Sequence, residues 1–386
     1  MNYMDLAVRR RRFLTLLGGG TVLAAGGAAA WAATRAPRAA LEPWHIAGSA
    51  HDEPRRRALS WAILAPNPHN RQPWLVDLAE PDTVTLYADP TRRLPETDPF
   101  DRQITIGLGC FLELMVLAAA EDGYRVEVEP FPDGFDEGGL DARPVARARF
   151  AADPAVRPDP LFAAAPDRRS VKEPYDPDRP VADASLGALA AAAIRGTRTT
   201  GSVAPADVAA LRTLTREALV VEIDTPRTYR ESVELFRIGR REVEASPDGI
   251  DFTGPVFELL AAAGQFDREV ALDRASAGFR QGRAAVLENA DTAMGHVWSV
   301  TAGNARPDQI AAGRDWSRIH LAATLEGLAV QPLSQALQEY PEMAGHYREV
   351  HARLAPDGGT VQMLARLGHA APVPPSPRWP LSARLL

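Results

Sequence analysis

The sequence holds a single cysteine, Cys110, and a single lysine, Lys172, in 386 residues. One cysteine excludes an internal disulfide and every cysteine-based zinc site. The eight histidines keep no metal-ligand spacing. His346 and His351, five apart, fall on different sides of a helix, so the set reads as surface residues and no metal is expected. No basic stripe runs through the body and the net charge is −7, which argues against nucleic acid as a partner. There is no nucleophile elbow either. Gly107-x-Gly109 lacks the third glycine and the preceding strand of a dinucleotide fingerprint. What is left is an ordinary globular composition, 46% hydrophobic and 24% charged, long enough for two domains or one large one.

Scarcity of lysine makes the one lysine informative. The chain has 43 Lys+Arg and uses arginine for all but one. That one follows Asp167-Arg168-Arg169-Ser170-Val171. Two guanidinium forks, a hydroxyl and free backbone N–H groups suit a phosphate, and a compact ammonium beside them suits a delocalised anion.

At the N-terminus, Arg9 to Arg12 precede Phe13-Leu14, matching the twin-arginine pattern at residues 10–14. An uncharged Gly/Ala-rich run from Leu14 to Thr34 follows, with an A-x-A site at Ala30-Trp31-Ala32. Residues 1–34 therefore read as an export signal, or as an anchor to the outer face of the inner membrane, with the export machinery as a partner and a periplasmic location. Such export carries folded, cofactor-loaded proteins.

In the body, a short helix is expected over 58–64. A fixed loop, Ala65-Pro66-Asn67-Pro68-His69-Asn70-Arg71-Gln72-Pro73-Trp74, ends it. Strands are expected at 75–78, 84–87 and 125–130, an apolar helix over 107–123, and a linker from Phe150 to Pro166. The pattern then restarts. Glu173-Pro174-Tyr175 echoes Glu42-Pro43-Trp44, residues 189–194 echo 59–64, and 321–328 echo 117–124, the last at an offset of 204. The consistent order implies two related halves, 35–166 and 167–386. The second carries a charged, helix-like insertion over about 200–315, with helices expected at 230–244, 256–263 and 274–295, suited to a lid. The first half lacks the phosphate run and the second lacks the Pro/Asn loop. One complete site can form between them, and its symmetry mate should be dead.

These paired motifs resemble the nitroreductase superfamily, and the fused arrangement with an export-type N-terminus is similar to its Acg-like FMN-binding branch. The resemblance covers roughly residues 55–386. It implies an α+β nitroreductase-like fold, built here as an intramolecular pseudo-dimer that works as a monomer, with FMN as cofactor. By that resemblance Arg168, Arg169 and Ser170 bind the FMN phosphate, and Lys172 sits near the flavin N1/O2 edge. Pro66, Asn67, Pro68 and Asn70 line the ring and ribityl chain. Gln72 either braces its loop or touches the ribityl chain. Glu326-Gly327 matches an E-G-[LF] stretch that approaches flavin N5, which makes Lys172, Glu326 and Gly327 the catalytic set. Ser376 and Arg378, in the C-terminal Ser-Pro-Arg-Trp-Pro segment, close over the phosphate.

Two functions fit. One is an FMN-dependent oxidoreductase reducing a small aromatic or quinone-like electron acceptor by two electrons. The other is a flavin-storing protein whose lid shuts substrates out. Trp74 and Trp379 are expected as core or lid aromatics, Arg102-Gln103 as structural, and Cys110 as buried and inert.

Overall fold

A computed structural model describes residues 36–386; residues 1–34, read above as an export signal, lie outside the described residues. The chain opens with α1 (Glu42–Ile46) and α2 (Pro54–Ala62). Pro54 starts α2 and the Glu53 carboxylate accepts from the Arg55 and Arg56 amides, so the helix begins four residues before the apolar pattern does. Strands β1 (Trp74–Asp77) and β2 (Thr83–Ala88) follow, then α3 (Arg102–Glu121), β3 (Tyr124–Pro130) and β4 (Ala146–Ala152). The α3 amides of Gln103 and Ile104 are taken by the Asp98 carboxylate at 3.0 and 2.9 Å.

The second half runs α4 (Asp183–Ala192), β5 (Arg198–Ser202), α5 (Pro205–Asp224), α6 (Pro226–Glu234), β6 (Phe236–Ile238) and α7 (Gly239–Ala245). Next come β7 (Ile250–Phe252), α8 (Pro255–Ala262), α9 (Arg268–Leu272), α10 (Ala277–Asp291), β8 (Gly295–Thr301), α11 (Arg306–Leu325), β9 (Ala329–Pro332), α12 (Ala344–Leu354) and β10 (Thr360–Gly368).

Two four-stranded antiparallel sheets repeat one topology. The first has the order β1-β2-β4-β3 and the second β5-β8-β10-β9, while β6 and β7 pair in parallel on their own. One hydrophobic core joins both halves, from Leu59 and Phe111 through Trp316 and Ile319 to Val330 and Leu367. At its centre α3 crosses α11. A Cβ on Gly313 would lie 1.9 Å from the Ile106 carbonyl oxygen, and one on Gly109 2.4 Å from that of Ile310. Those two glycines stand 204 apart, as do Arg102 and Arg306 at the two helix starts, both fully buried. The sequence offset is thus a physical pseudo-twofold.

Several expectations need correction. Phe150 belongs to β4, not to a linker, because Arg147 and Arg149 point outward and hide the alternation of buried Ala146, Ala148 and Phe150. The twenty-residue α5 was not foreseen, and β6 breaks the helix expected over 230–244. Strand β8 and the start of α11 belong to the central framework, so the segment separating β5 from β8 is 203–294. His296 and His320 are fully buried rather than on the surface.

After β10 the chain crosses back to the first half. Leu386 donates to the Val76 carbonyl at 2.9 Å along β1. That return brings residues 376–379 to the loop at 64–72.

Candidate functional site

The 66–72 loop is an unusual piece of backbone. His69, Asn70 and Gln72 all adopt the left-handed region, with φ of 46°, 51° and 51°. Such residues cost on the order of 1–3 kcal/mol each and persist only where the surroundings over-determine them. Here three segments do so. Within the loop, Asn67 Oδ1 accepts from the Gln72 amide at 2.7 Å. From the C-terminal segment, Trp379 N donates to Gln72 Oε1 at 2.9 Å, Arg378 Nη1 to Asn70 Oδ1 at 2.5 Å, and Pro377 O accepts from Asn70 Nδ2 at 3.0 Å. From the insertion, Pro247 O accepts from Gln72 Nε2 at 2.6 Å and Gly249 N donates to Asn70 O. Gln72 is fully buried with both ends of its amide engaged. These bonds make it a brace of its loop, the first of the two roles expected of it. The insertion is therefore keyed into the loop, and Asp248 fixes the key. Its buried carboxylate meets Arg71 at 2.9 Å, Arg92 at 2.8 Å and Arg237 at 3.0 Å.

The Arg168–Lys172 run lies along β9. Ser170 pairs with Val330 in a parallel bridge, and the Val171 amide donates to Val330 O at 2.9 Å. Arg168 is buried and donates to the Leu64 carbonyl at 2.8 Å; Arg378 donates to Leu64 O and Ala65 O at 3.1 and 3.2 Å. Arg169 turns onto the Pro166 and Arg168 carbonyls. All three guanidinium carbons converge on the Trp44 ring, at 4.5 Å for Arg169, 5.5 Å for Arg378 and 5.9 Å for Arg168. Among the described residues no carboxylate forms an ion pair with any of them, and the buried Nε atoms of Arg169 and Arg378 have no partner. Burial, then the neighbouring Arg169, pulls Arg168 down to about 10, and burial, then Arg168, pulls Arg378 down to about 9. Three crowded cations sharing only carbonyls and an amide form a receptor for an anion.

Lys172 retains solvent access, yet enough protein surrounds it that desolvation lowers its pKa, with Asp251 on β7 pulling the other way. Its carbonyl accepts from Asn289 Nδ2 on α10. His69 is pushed down to about 4 by burial, then by Lys172 and Arg71, so it is neutral at pH 7.

The loop thus meets the cation cluster: Arg168 and Arg378 reach the Leu64 and Ala65 carbonyls just before Pro66, Arg378 also reaches Asn70, and Ser170 and Lys172 continue the same run along β9. Ser376 joins them through its carbonyl, which accepts from Trp44 Nε1 at 2.8 Å. Glu326 and Gly327 make none of these contacts. They sit exposed at the C-terminal end of α11, where Gly327 at φ +68° caps the helix and the Leu328 amide donates to Ala323 O. The Glu326 carboxylate accepts from Ser185 Oγ at 2.8 Å. A Glu-Gly pair after a long helix is here a helix stop. Trp74 is core, 5.0 Å from the Phe111 ring; Cys110 is buried, its thiol directed at Gly313 O. Trp44, His69, Asp248 and Asp251 were missed. Only Trp44 left a trace in the sequence, as a member of the Glu-Pro-aromatic echo.

The pseudo-symmetric place has the opposite electrostatics. The Ile194, Arg195 and Thr197 amides all donate to the Asp315 carboxylate. Arg195, Arg314 and Arg318 all pair with the fully buried Glu113, at 2.9, 2.7 and 3.1 Å. Its cations are already satisfied.

An α+β pseudo-dimer with one anion receptor between its halves defines the class. No family model matches the chain. It is 30% identical over 343 residues to Rv3131 of Mycobacterium tuberculosis (strain H37Rv), named as an NAD(P)H nitroreductase, covering 85% of this chain and 89% of that protein. It is 26% identical over 337 residues to acg of the same strain, which carries the same kind of name, covering 84% and 93%. A solved Anabaena variabilis structure named as a nitroreductase aligns over 86% of this chain and 91% of its own, at a TM-score of 0.40 and 13% identity. The chain belongs to the nitroreductase superfamily, in its Acg-like branch.

Proposed function

We propose that this protein is an FMN-dependent oxidoreductase of nitroreductase type that passes two electrons to a small aromatic or quinone-like acceptor. The observation that carries the reading is the cluster of two buried guanidiniums, Arg168 and Arg378, with half-buried Arg169 beside them, and no carboxylate among the described residues ion-paired to any of the three. These three hold the cofactor phosphate by charge-assisted hydrogen bonds. FMN, when bound, supplies hydride transfer through its isoalloxazine ring. Lys172 provides a fixed ammonium at the mouth of the same cluster and favours the cofactor's more negative state. His69, neutral at working pH, donates no proton of its own, and water serves instead. The names of the relatives favour NAD(P)H as donor.

The braced insertion favours a second reading, a flavin store with little turnover, since segment 247–249 is tied to the binding loop. The twin-arginine run supports export of the loaded protein, and the shared core of the two halves supports a monomer with one site.

The test is the absorbance spectrum of protein purified without added flavin, repeated for Ser170→Ala and Arg378→Gln. A flavin band that weakens in the variants, bleaches with NADPH and returns when a quinone is added supports the reductase. A band that bleaches only with dithionite supports the store. A colourless protein that takes up no FMN overturns both.

A further inference from the structure

We propose that residues 38–46 form a strap that closes the phosphate end of the cofactor site, latched by Glu244 of the insertion, and that the strap must lift before the cofactor leaves. The inference rests on the FMN reading above and concerns how the site retains what it binds.

The strap is fixed at three points, none of them in a sheet. Both oxygens of the Glu244 carboxylate, on α7, take successive amides: Arg38 N at 2.6 Å and Ala39 N at 3.3 Å on Oε1, and Ala40 N at 3.0 Å on Oε2. The Ala40 carbonyl then accepts from the Arg378 amide at 2.8 Å. Finally, Trp44 Nε1 donates to Ser376 O at 2.8 Å. These contacts set the Trp44 ring against all three guanidiniums, with Arg169 nearest. The ring is a flat apolar wall on the cations, and it can stay in place while their free N–H edges hold an anion.

Apart from Trp44, which packs against the core, the strap brings little to it. Ala40 and Pro43 are buried, but Arg38, Ala39, Glu42, His45 and Ile46 are exposed. A segment held by a few hydrogen bonds and one aromatic opens at far lower free energy than the global fold. It also spans parts that the reaction does not need to move together: Glu244 lies in the insertion, and Arg378 in the C-terminal return. Closure therefore couples insertion, C-terminal segment and cofactor. By linkage, whatever favours the closed strap favours bound cofactor by the same factor.

The test uses the full-length FMN-loaded protein, with release followed as the rise of free-flavin fluorescence after dilution into an excess of a flavin-scavenging apoprotein. Trp44→Ala and Glu244→Ala are each expected to release FMN about tenfold faster, the factor set by 1.4 kcal/mol of lost interaction. Trp44→Phe, which keeps a flat ring, is expected to stay within about threefold of wild type on the same scale. Hydrogen exchange of the 38–46 amides is expected to slow when FMN is added. Unchanged release in both alanine variants, with normal flavin loading, overturns the strap. So does slower release from Trp44→Ala, which would mean that the ring occupies the place of the phosphate. Glu244→Ala keeps the test open if Trp44→Ala fails to fold. A wild type that never loads FMN overturns the functional reading itself, an outcome distinct from either.

Discussion

Lys172 and the arginines beside it divide one task between two kinds of cation. The guanidiniums are fixed forks held by carbonyls, whereas the ammonium is a point charge with solvent on one side. Lys172→Gln is expected to make the midpoint potential of bound flavin more negative by roughly 30 mV, equivalent to about 1.4 kcal/mol in a two-electron couple. Lys172→Arg should restore only part of that shift, and spectroelectrochemical titration measures both. The pH dependence has a definite sign. Desolvation holds the Lys172 pKa below the ordinary lysine value, so its charge is lost before that range is reached. The wild-type potential should converge on that of the Gln variant at alkaline pH, and stay above it at pH 7.

At the scale of elements, the α3–α11 crossing and the Asp248 key govern the fold and the site respectively. A methyl at Gly313 would be driven into the Ile106 carbonyl, with backbone on both sides. Gly313→Ala should therefore cost about 3 kcal/mol in denaturant unfolding, the upper range of core overpacking. Asp248→Asn leaves Arg71, Arg92 and Arg237 without their shared buried charge. Removing one partner of a buried pair costs about 3–5 kcal/mol. Because Arg71 sits inside the strained loop, the variant should lower the thermal midpoint and also weaken FMN affinity, read together by melting and by flavin titration. A lowered midpoint with unchanged affinity would separate the key from the loop.

For the whole molecule, one core under both sheets implies that the halves melt together, in a single calorimetric transition. Acid should act through buried imidazoles. His296 is pushed down to about 3 by burial, then by Arg212, and His320 to about 3 by burial, then by Arg168. The unfolded chain protonates these rings near 6.5 and the folded chain only near 3, so their share of stability falls as pH drops through that window. Buried Asp98, pushed up to about 6, and Glu222, pushed up to about 7, act in the opposite sense as pH falls toward their unfolded values. Near-cancellation is expected between pH 6.5 and about 4, with a steep drop in thermal midpoint below that. A midpoint that declines evenly from pH 7 would contradict the assignment of these four groups.

Local chemistry determined what the sequence could determine alone. Charge type set the Arg168–Lys172 run, Pro/Asn content set the rigid loop at 66–72, and the echoes of 42–44, 59–64 and 117–124 later in the chain pointed to two halves. Each of these signals lies within a few residues or repeats itself. Contacts between distant segments were decided only in the tertiary structure. Gln72 is a brace because Pro247 and Trp379 reach it from 175 and 307 residues away. Trp44 became part of the site because a carboxylate 200 residues on holds its segment in place. Glu326-Gly327 stands exposed where α11 stops. Residue types specify what a group can bind, and only packing specifies which groups meet.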